Sequence, residues 1–327
     1  MEMDKSDIKI FVSRRIDLDS VTIDNPLFVP VRCGAVYDED KSSPYFGDDT
    51  GDNISSKRIT FSELTVQYWA WKNVKADWYG LCHYRRYISF SEKKYKTGAH
   101  GLVVAPILNE KNMRRYNLLD EQQMRREIEQ YDIIMPCGAP VANIILPHGR
   151  AQTVGELWAA HDGFFFYKDI INHMFSLIDE LTPEYSDSAK EYFLSSNHYG
   201  YNCYIMRREL FEQLCNFQFP IIEEMAKEMD GSNDLKQYPR AIAYVGEMLF
   251  GVFLYHIKKS KKYKAKERQI VIFEETKKLD GLMNNVKCYL VHVINRVVWK
   301  ASLYLFPLGS KRREKWKNYY NLLLRKN

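Results

Sequence analysis

The chain is short of the features that would decide its class at once. Its six cysteines (Cys33, Cys82, Cys137, Cys203, Cys215 and Cys288) form no C-x-x-C pair, and no histidine stands at zinc-finger spacing from them. They read as reduced, mostly buried thiols rather than a disulfide framework or a zinc site. No run of ~18 clean apolar residues argues for a spanning helix. The start, Met1-Glu2-Met3-Asp4-Lys5-Ser6-Asp7, has neither the basic opening nor the apolar core of a signal peptide. The expected location is therefore cytoplasmic. Internal repeats and low-complexity tracts are absent too.

What is present is a 327-residue chain with 46% hydrophobic and 27% charged residues, the balance of a soluble globular protein long enough to bury a sizeable core. Aromatics reach 14%, led by 23 tyrosines. Tyrosine-rich surfaces suit sugars, and a large β-containing core gives the same statistic. The net charge of +5 is unevenly placed. From Gly281 onward ten cations face the single acid Glu314, which leaves the remainder of the chain slightly acidic. An acidic body without a recognition module argues against a nucleic-acid partner.

Thr60 to Tyr87, TFSELTVQYWAWKNVKADWYGLCHYRRY, is the most informative stretch. Thr60 and Glu63 have the spacing of a capping box, and Leu64, Tyr68 and Trp71 recur on one face, predicting a helix that Asn73 ends. Trp78 to Cys82 is short and uncharged enough to be a buried strand. His83, Tyr84, Arg85 and Arg86 follow at once, so a buried strand delivers cations to the carboxyl edge of a sheet, where open α/β sheets bind ligands. Two arginines there can hold phosphate through bidentate forks.

Elsewhere, Ile8–Ser13, Phe28–Val36, Tyr131–Pro136, Tyr199–Met206 and Gln269–Phe273 read as strands. Asp120–Gln130, Thr153–Ala160 and Arg207–Asn216 read as helices. The acidic loop around Asp48, Asp49 and Asp52 could bind Mn²⁺ or Mg²⁺, although it lacks the spacing and closing Glu of an EF-hand; turn and cap residues are the alternative. His161 and Asp162 sit together at a helix end, and the loop before carries His148. In the apolar run from Arg240 to Tyr255, Glu247 is the one acid. Buried there unpaired it would have a raised pKa, which suits a general base; capping or pairing with Arg240 is the structural alternative. From Val286 to Phe306 apolar residues recur helically, with His292, Arg296 and Lys300 on the other face, and a basic stretch through Lys317 follows. That pattern, with Trp299, Tyr304 and Trp316, reads as a peripheral anchor on an anionic membrane, with packing against the body or an oligomer partner as the rival.

The phrases ELTVQYWAWKN and DWYGLCHYRRY resemble the signature of a bacterial family of uncharacterised domains assigned to capsular and exopolysaccharide glycosyltransferases. GDDTGDNI upstream, and YNCYIM and GEML downstream, extend the resemblance over roughly the first 260 residues. It implies an α/β, GT-A-like (Rossmann-like) mixed sheet flanked by helices. It also implies transfer from a nucleotide diphosphate sugar, galactose or galactofuranose being what some members are thought to move, onto a lipid-linked glycan acceptor. On that basis residues 1–257 are expected to form the transferase domain, 258–280 a basic segment with a last strand, and 281–327 a basic amphipathic tail on the inner face of the cell membrane. Within the site, His83, Arg85, Arg86, Asp52 and Asn53 are the expected donor ligands, with the two arginines doing electrostatically what a metal held by Asp-x-Asp does in many GT-A enzymes. Glu247, with His161 second, is the expected base, a His falling at that point of the family pattern. Asp162, Tyr201 and Asn202 are expected on the acceptor side.

Overall fold

A computed structural model describes residues 6–315 apart from 41, 147, 148, 162, 164, 168, 233, 280, 307–309, 313 and 314. In chain order the first half runs β1 (Ile8–Arg15), β2 (Phe28–Cys33), β3 (Phe46–Gly47), α1 (Arg58–Phe61), α2 (Leu64–Asn73), β4 (Trp78–His83), β5 (Arg86–Ile88), β6 (Val103–Ile107), α3 (Glu110–Arg115) and α4 (Glu121–Ile128). The second half runs β7 (Ile133–Pro136), β8 (Ala139–Pro140), β9 (Ile145–Leu146), β10 (Gly149–Arg150), α5 (Val154–Ala159), α6 (Ile170–Leu181), α7 (Ser186–Leu194), β11 (Asn197–His198) and β12 (Tyr204–Arg207). It closes with α8 (Arg208–Ser232), α9 (Asp234–Gln237), α10 (Ala241–Ser260), β13 (Ala265–Arg268), β14 (Ile270–Glu275) and α11 (Leu282–Leu305).

The main sheet has the order β13-β7-β12-β4-β1-β2-β3. Neighbours pair in parallel except β12, which runs antiparallel to both β4 and β7. Strands β14, β5 and β6 extend it through the His83↔Arg86 pairing of β4 with β5. Because side chains alternate along a strand, each central strand feeds two cores. Phe11, Tyr79 and Leu81 face one, filled by α2, α5–α8 and α10. Ile10, Val12, Trp78 and Cys82 face the other, filled by α3, α4 and β14. Burial on both faces explains the continuous apolar runs Ile10–Val12 in β1 and Trp78–Cys82 in β4.

The structure departs from the sequence reading in four places. The helix expected from Thr60 is broken at Ser62, whose φ is +51°, and the Thr60–Glu63 capping box does not form: Glu63 accepts instead from Asn202 Nδ2 (3.2 Å). Of the strand expected over 199–206 only Tyr204 onward joins the sheet, since Tyr201 and Asn202 are left-handed. The helix expected to stop at Asn216 continues to Ser232 through Pro220, because Phe217, Ile221, Ile222, Met225 and Met229 keep burying the same stripe. Finally, where one last strand was expected after α10 there are two: β13 pairs with β7, and β14 with β5 and β6.

Candidate active site

All parallel strands end at one edge, and β4 brings His83 to it between β1 and β12. A tight turn through Tyr84 and Arg85 leads into β5, which starts at Arg86. The turn is anchored from both sides: the Tyr84 N–H donates to Ser13 (3.0 Å), and the Arg85 carbonyl accepts from the Phe273 N–H (2.9 Å). Its side chains are less well served. The buried atoms His83 Nδ1, Arg85 Nε and Arg86 Nε have no partner among the described residues, and neither guanidinium has a described carboxylate within ion-pairing distance. Burial, then repulsion from Arg86, pulls the Arg85 pKa down; burial, then Arg86 and Arg85, pushes His83 well below its ordinary value. His83 is therefore a neutral imidazole among cations. Arg15 from β1 and Arg240 at the start of α10 add to the same positive field.

Facing this edge, Arg240, Tyr244 and Glu247 lie four and three residues apart on one face of α10. Glu247 is seven residues into the helix, so it caps nothing, and it makes no ion pair with Arg240 among the described residues. Its Oε1 accepts from the Tyr201 N–H (3.0 Å) and lies 3.9 Å from His198 Nε2, and its side chain is 16% exposed. Burial raises its pKa, opposed by the Arg86 charge and the Tyr201 hydrogen bond. His198 is held by the Tyr192 hydroxyl (3.2 Å) and pushed by burial to about 3. The contact between them thus joins a carboxyl group to a neutral imidazole.

The chain approaches Glu247 closely because residue 200 is glycine: a Cβ there would stand 2.6 Å from Glu247 Oε1 and 2.5 Å from His198 Nε2. Tyr201 and Asn202 follow with φ of +76° and +42°. Left-handed backbone at a residue with a Cβ costs roughly 1–2 kcal/mol, and the turn it makes directs the Tyr201 N–H onto the carboxylate. The Tyr201 ring lies under the Arg86 guanidinium (5.3 Å), its hydroxyl donates to the His100 carbonyl (3.1 Å), and Asn202 reaches Glu63 with its Nδ2 while its buried Oδ1 has no partner.

Arg86, Glu247, Tyr201, His198, His100, Trp158, His161, Phe165 and Tyr244 surround one cavity of about 190 Å³. His161 stacks on Phe165 (5.0 Å) and Phe165 on Tyr244 (4.5 Å), forming an aromatic wall opposite the charged groups. Trp158 Nε1, also buried, has no partner among the described residues. An aromatic wall with a few unpaired donors fits a ring bearing hydroxyls.

The structure therefore gathers Arg86, His161, Tyr201 and Glu247 around one cavity, with His83, Arg85 and Asn202 in the adjoining edge. It separates Asp52 and Asn53. The Asp52 amide donates to Asn73 Oδ1 (3.0 Å) and its Oδ1 accepts from Tyr68 Oη (3.2 Å), placing it at the far end of the ten-residue α2, about 15 Å of helical rise from Glu63. Asn53 is spent within its own turn on Gly51 and Ser55. Asp48 is fully buried, and its two oxygens accept from the Gly34 and Ala35 amides (both 2.9 Å) and the Ser55 and Thr65 hydroxyls (both 2.5 Å). This donor set does not fit a metal: Asp48 ties the turn after β2 to α2, and no cluster of three or more His, Cys, Asp or Glu suited to a metal occurs among the described residues. Asp162 and His148 lie outside the described residues.

Sequence reasoning missed Glu63, His100, His198, Gly200 and Tyr244. The spacing of Arg240, Tyr244 and Glu247 was a readable signal; the others meet only across the fold.

Residues 9–260 match the domain of unknown function DUF4422, three quarters of the chain. The chain belongs to that family. Among solved structures it is similar to the apo structure of WbbM, a bifunctional glycosyltransferase, with a TM-score of 0.72 and 26% identity over 84% of this chain. The match spans 47% of the WbbM chain, about half of that chain's length. No curated protein matches. The DUF4422 chain thus has a GT-A-like fold, a mixed and mostly parallel sheet flanked by helices.

Proposed function

We propose that this DUF4422 protein is a glycosyltransferase that moves a sugar from a nucleoside diphosphate, UDP being the expected carrier, to a hydroxyl of a glycan acceptor. One observation carries the reading: unpaired, half-buried guanidinium groups and a carboxyl group of raised pKa meet at the carboxyl edge of the sheet, Arg86 and Glu247 facing a single cavity. Buried polar atoms are ordinarily satisfied, so a group of them without protein partners points to a ligand.

In this reading the diphosphate lies on Arg85 and Arg86, with His83 as a neutral donor to a phosphate or sugar oxygen. The sugar and the incoming acceptor occupy the cavity walled by Phe165, Tyr244 and Trp158. Glu247 takes the proton of the acceptor hydroxyl as that oxygen bonds the anomeric carbon, and the carbon–oxygen bond to the diphosphate breaks with its electrons passing to the leaving group. Arginine charge stabilises the departing diphosphate. His161, already engaged with the Leu157 carbonyl through Nδ1 (2.8 Å), acts as a wall residue and second candidate base. The acceptor is proposed to be lipid-linked, as in capsule, exopolysaccharide or O-antigen synthesis.

Two measurements test this. UDP well above its dissociation constant must raise the melting temperature. A panel of nucleotide sugars offered with a lipid-linked acceptor must release UDP from one of them. A protein that neither binds UDP nor releases it would be a polysaccharide-assembly scaffold instead.

A further inference from the structure

Helix α11 is docked the wrong way round for a core element. Its contacts with the body are polar: Asn109 Nδ2 donates to Asn285 Oδ1 (3.2 Å), Asn112 Nδ2 to the Tyr289 hydroxyl (3.2 Å), and His292 Nδ1 meets Glu274 Oε2 (2.7 Å). Residues 285, 289 and 292 share one face at helical spacing. The opposite face carries Val286, Leu290, Val293, Ile294, Val297 and Tyr304, exposed by 47, 57, 56, 57, 60 and 86%. Along this 24-residue helix the described residues leave that apolar stripe uncovered. Soluble monomers rarely expose a continuous patch of that kind.

Charge decides what covers it. Lys287 and Lys300 border the stripe, Arg296 continues the His292 side, Lys311, Arg312 and Lys315 follow, and all six are exposed. An apolar occupant alone would not call for that border, and a second copy of this helix would bring like charge against like. Anionic phosphate groups above a hydrocarbon layer match both features. The charges along α11 suit lying in the interface better than crossing it. We infer that α11 seats its outer face in an anionic bilayer, as an in-plane anchor that holds the body through Asn285, Tyr289 and His292. This goes beyond the transfer reading and does not depend on it.

The test uses the full chain and sedimented vesicles. Phosphatidylglycerol-containing vesicles should carry the protein down, pure phosphatidylcholine vesicles should retain much less, and added salt should weaken the binding. The triple substitution Leu290→Ser, Ile294→Ser, Val297→Ser changes only outward side chains, so the melting temperature should hold while binding to anionic vesicles falls by about tenfold or more. Lys287→Glu with Lys300→Glu should remove the preference for anionic lipid. The inference is overturned if anionic vesicles leave the protein in solution or if the triple variant binds them as well as the parent. It is equally overturned if velocity sedimentation without lipid finds a dimer that the triple substitution dissociates while vesicle binding is nil.

Discussion

Two arginines on the same edge of one sheet have opposite surroundings. Arg268, at the end of β13, is 10% exposed and fully served: Glu127 accepts from its Nε and Nη2 (both 2.6 Å), Glu92 from Nη2 (2.8 Å), and the Ser91 carbonyl from Nη1 (3.1 Å). Burial alone would lower its pKa, but the bonds to Glu127 and Glu92 outweigh it and the net shift is upward. Arg85, after β4, has a pKa lowered by burial and then by the Arg86 charge, and its Nε has no described partner. A cation whose acids are built in holds the fold together. One left without a described partner is, on the proposed reading, the place for an anion from outside.

The sharpest way to break this contrast is to remove a built-in acid. Glu127→Gln leaves Arg268 buried with only the exposed Glu92, and losing one member of a buried pair costs about 3 kcal/mol. Denaturant melts should show that loss while the folded fraction binds UDP as before. If instead stability holds and UDP binding fails, the assignment of the two arginines is reversed.

Glu247→Gln should cost about 100-fold or more in turnover, the scale of a general base, with UDP affinity kept. Its stability effect has the opposite sign to that of Glu127→Gln. A carboxyl whose folded pKa is raised contributes stability present below its ordinary value and lost as pH rises through the raised one. At neutral pH the glutamine should therefore melt no lower than the parent. For the parent, the acidic limb of kcat/KM should lie above the ordinary glutamate range, since only ionised Glu247 accepts a proton. Nearby His198, depressed to about 3, works the other way: its contribution is complete above the usual histidine range and is lost as pH falls toward 3.

Arg85→Ala and Arg86→Ala should each weaken UDP binding by roughly 10- to 100-fold, the worth of a charge-assisted hydrogen bond. Removing unpaired like charges should leave the melting temperature level or raise it, unlike any change at Arg268. A smaller effect still is expected of chelation. With Asp48 committed to two amides and two hydroxyls, EDTA should leave UDP-release activity within about twofold, on the view that arginines serve where many related folds use a metal. Activity abolished by EDTA and restored by Mn²⁺ would discard that view.

Much of the frame was legible in advance because it is local. Ile10–Val12 and Trp78–Cys82 bury apolar side chains on both faces, and Thr153 stands at the start of α5 as its cap, accepting from Glu156 N–H (3.1 Å). Errors fell where a residue answers to a distant partner. Thr60 and Glu63 have ideal capping spacing, but Glu63 is drawn to Asn202, 139 positions away. Asp52 lies in an acidic loop that reads as a ligand site, but α2 spaces it from the edge where the cations collect. His198 and Gly200 carry no local signal, since they stand beside a carboxylate that α10 brings from 46 or more positions away.

The order of residues along the chain determined which stretches are buried strands, which helices are amphipathic, that cations follow β4, and that Glu247 has no acidic company in α10. Each of these follows from backbone periodicity and the avoidance of unpaired burial, which act over a few neighbours. Only the folded arrangement decided that Arg86 and Glu247 share a cavity, that Asp48 is a strut, and that α11 turns its apolar side outward. Those depend on how the sheet and its helices meet, because a charge or an apolar face acquires its meaning from whatever the rest of the chain brings against it.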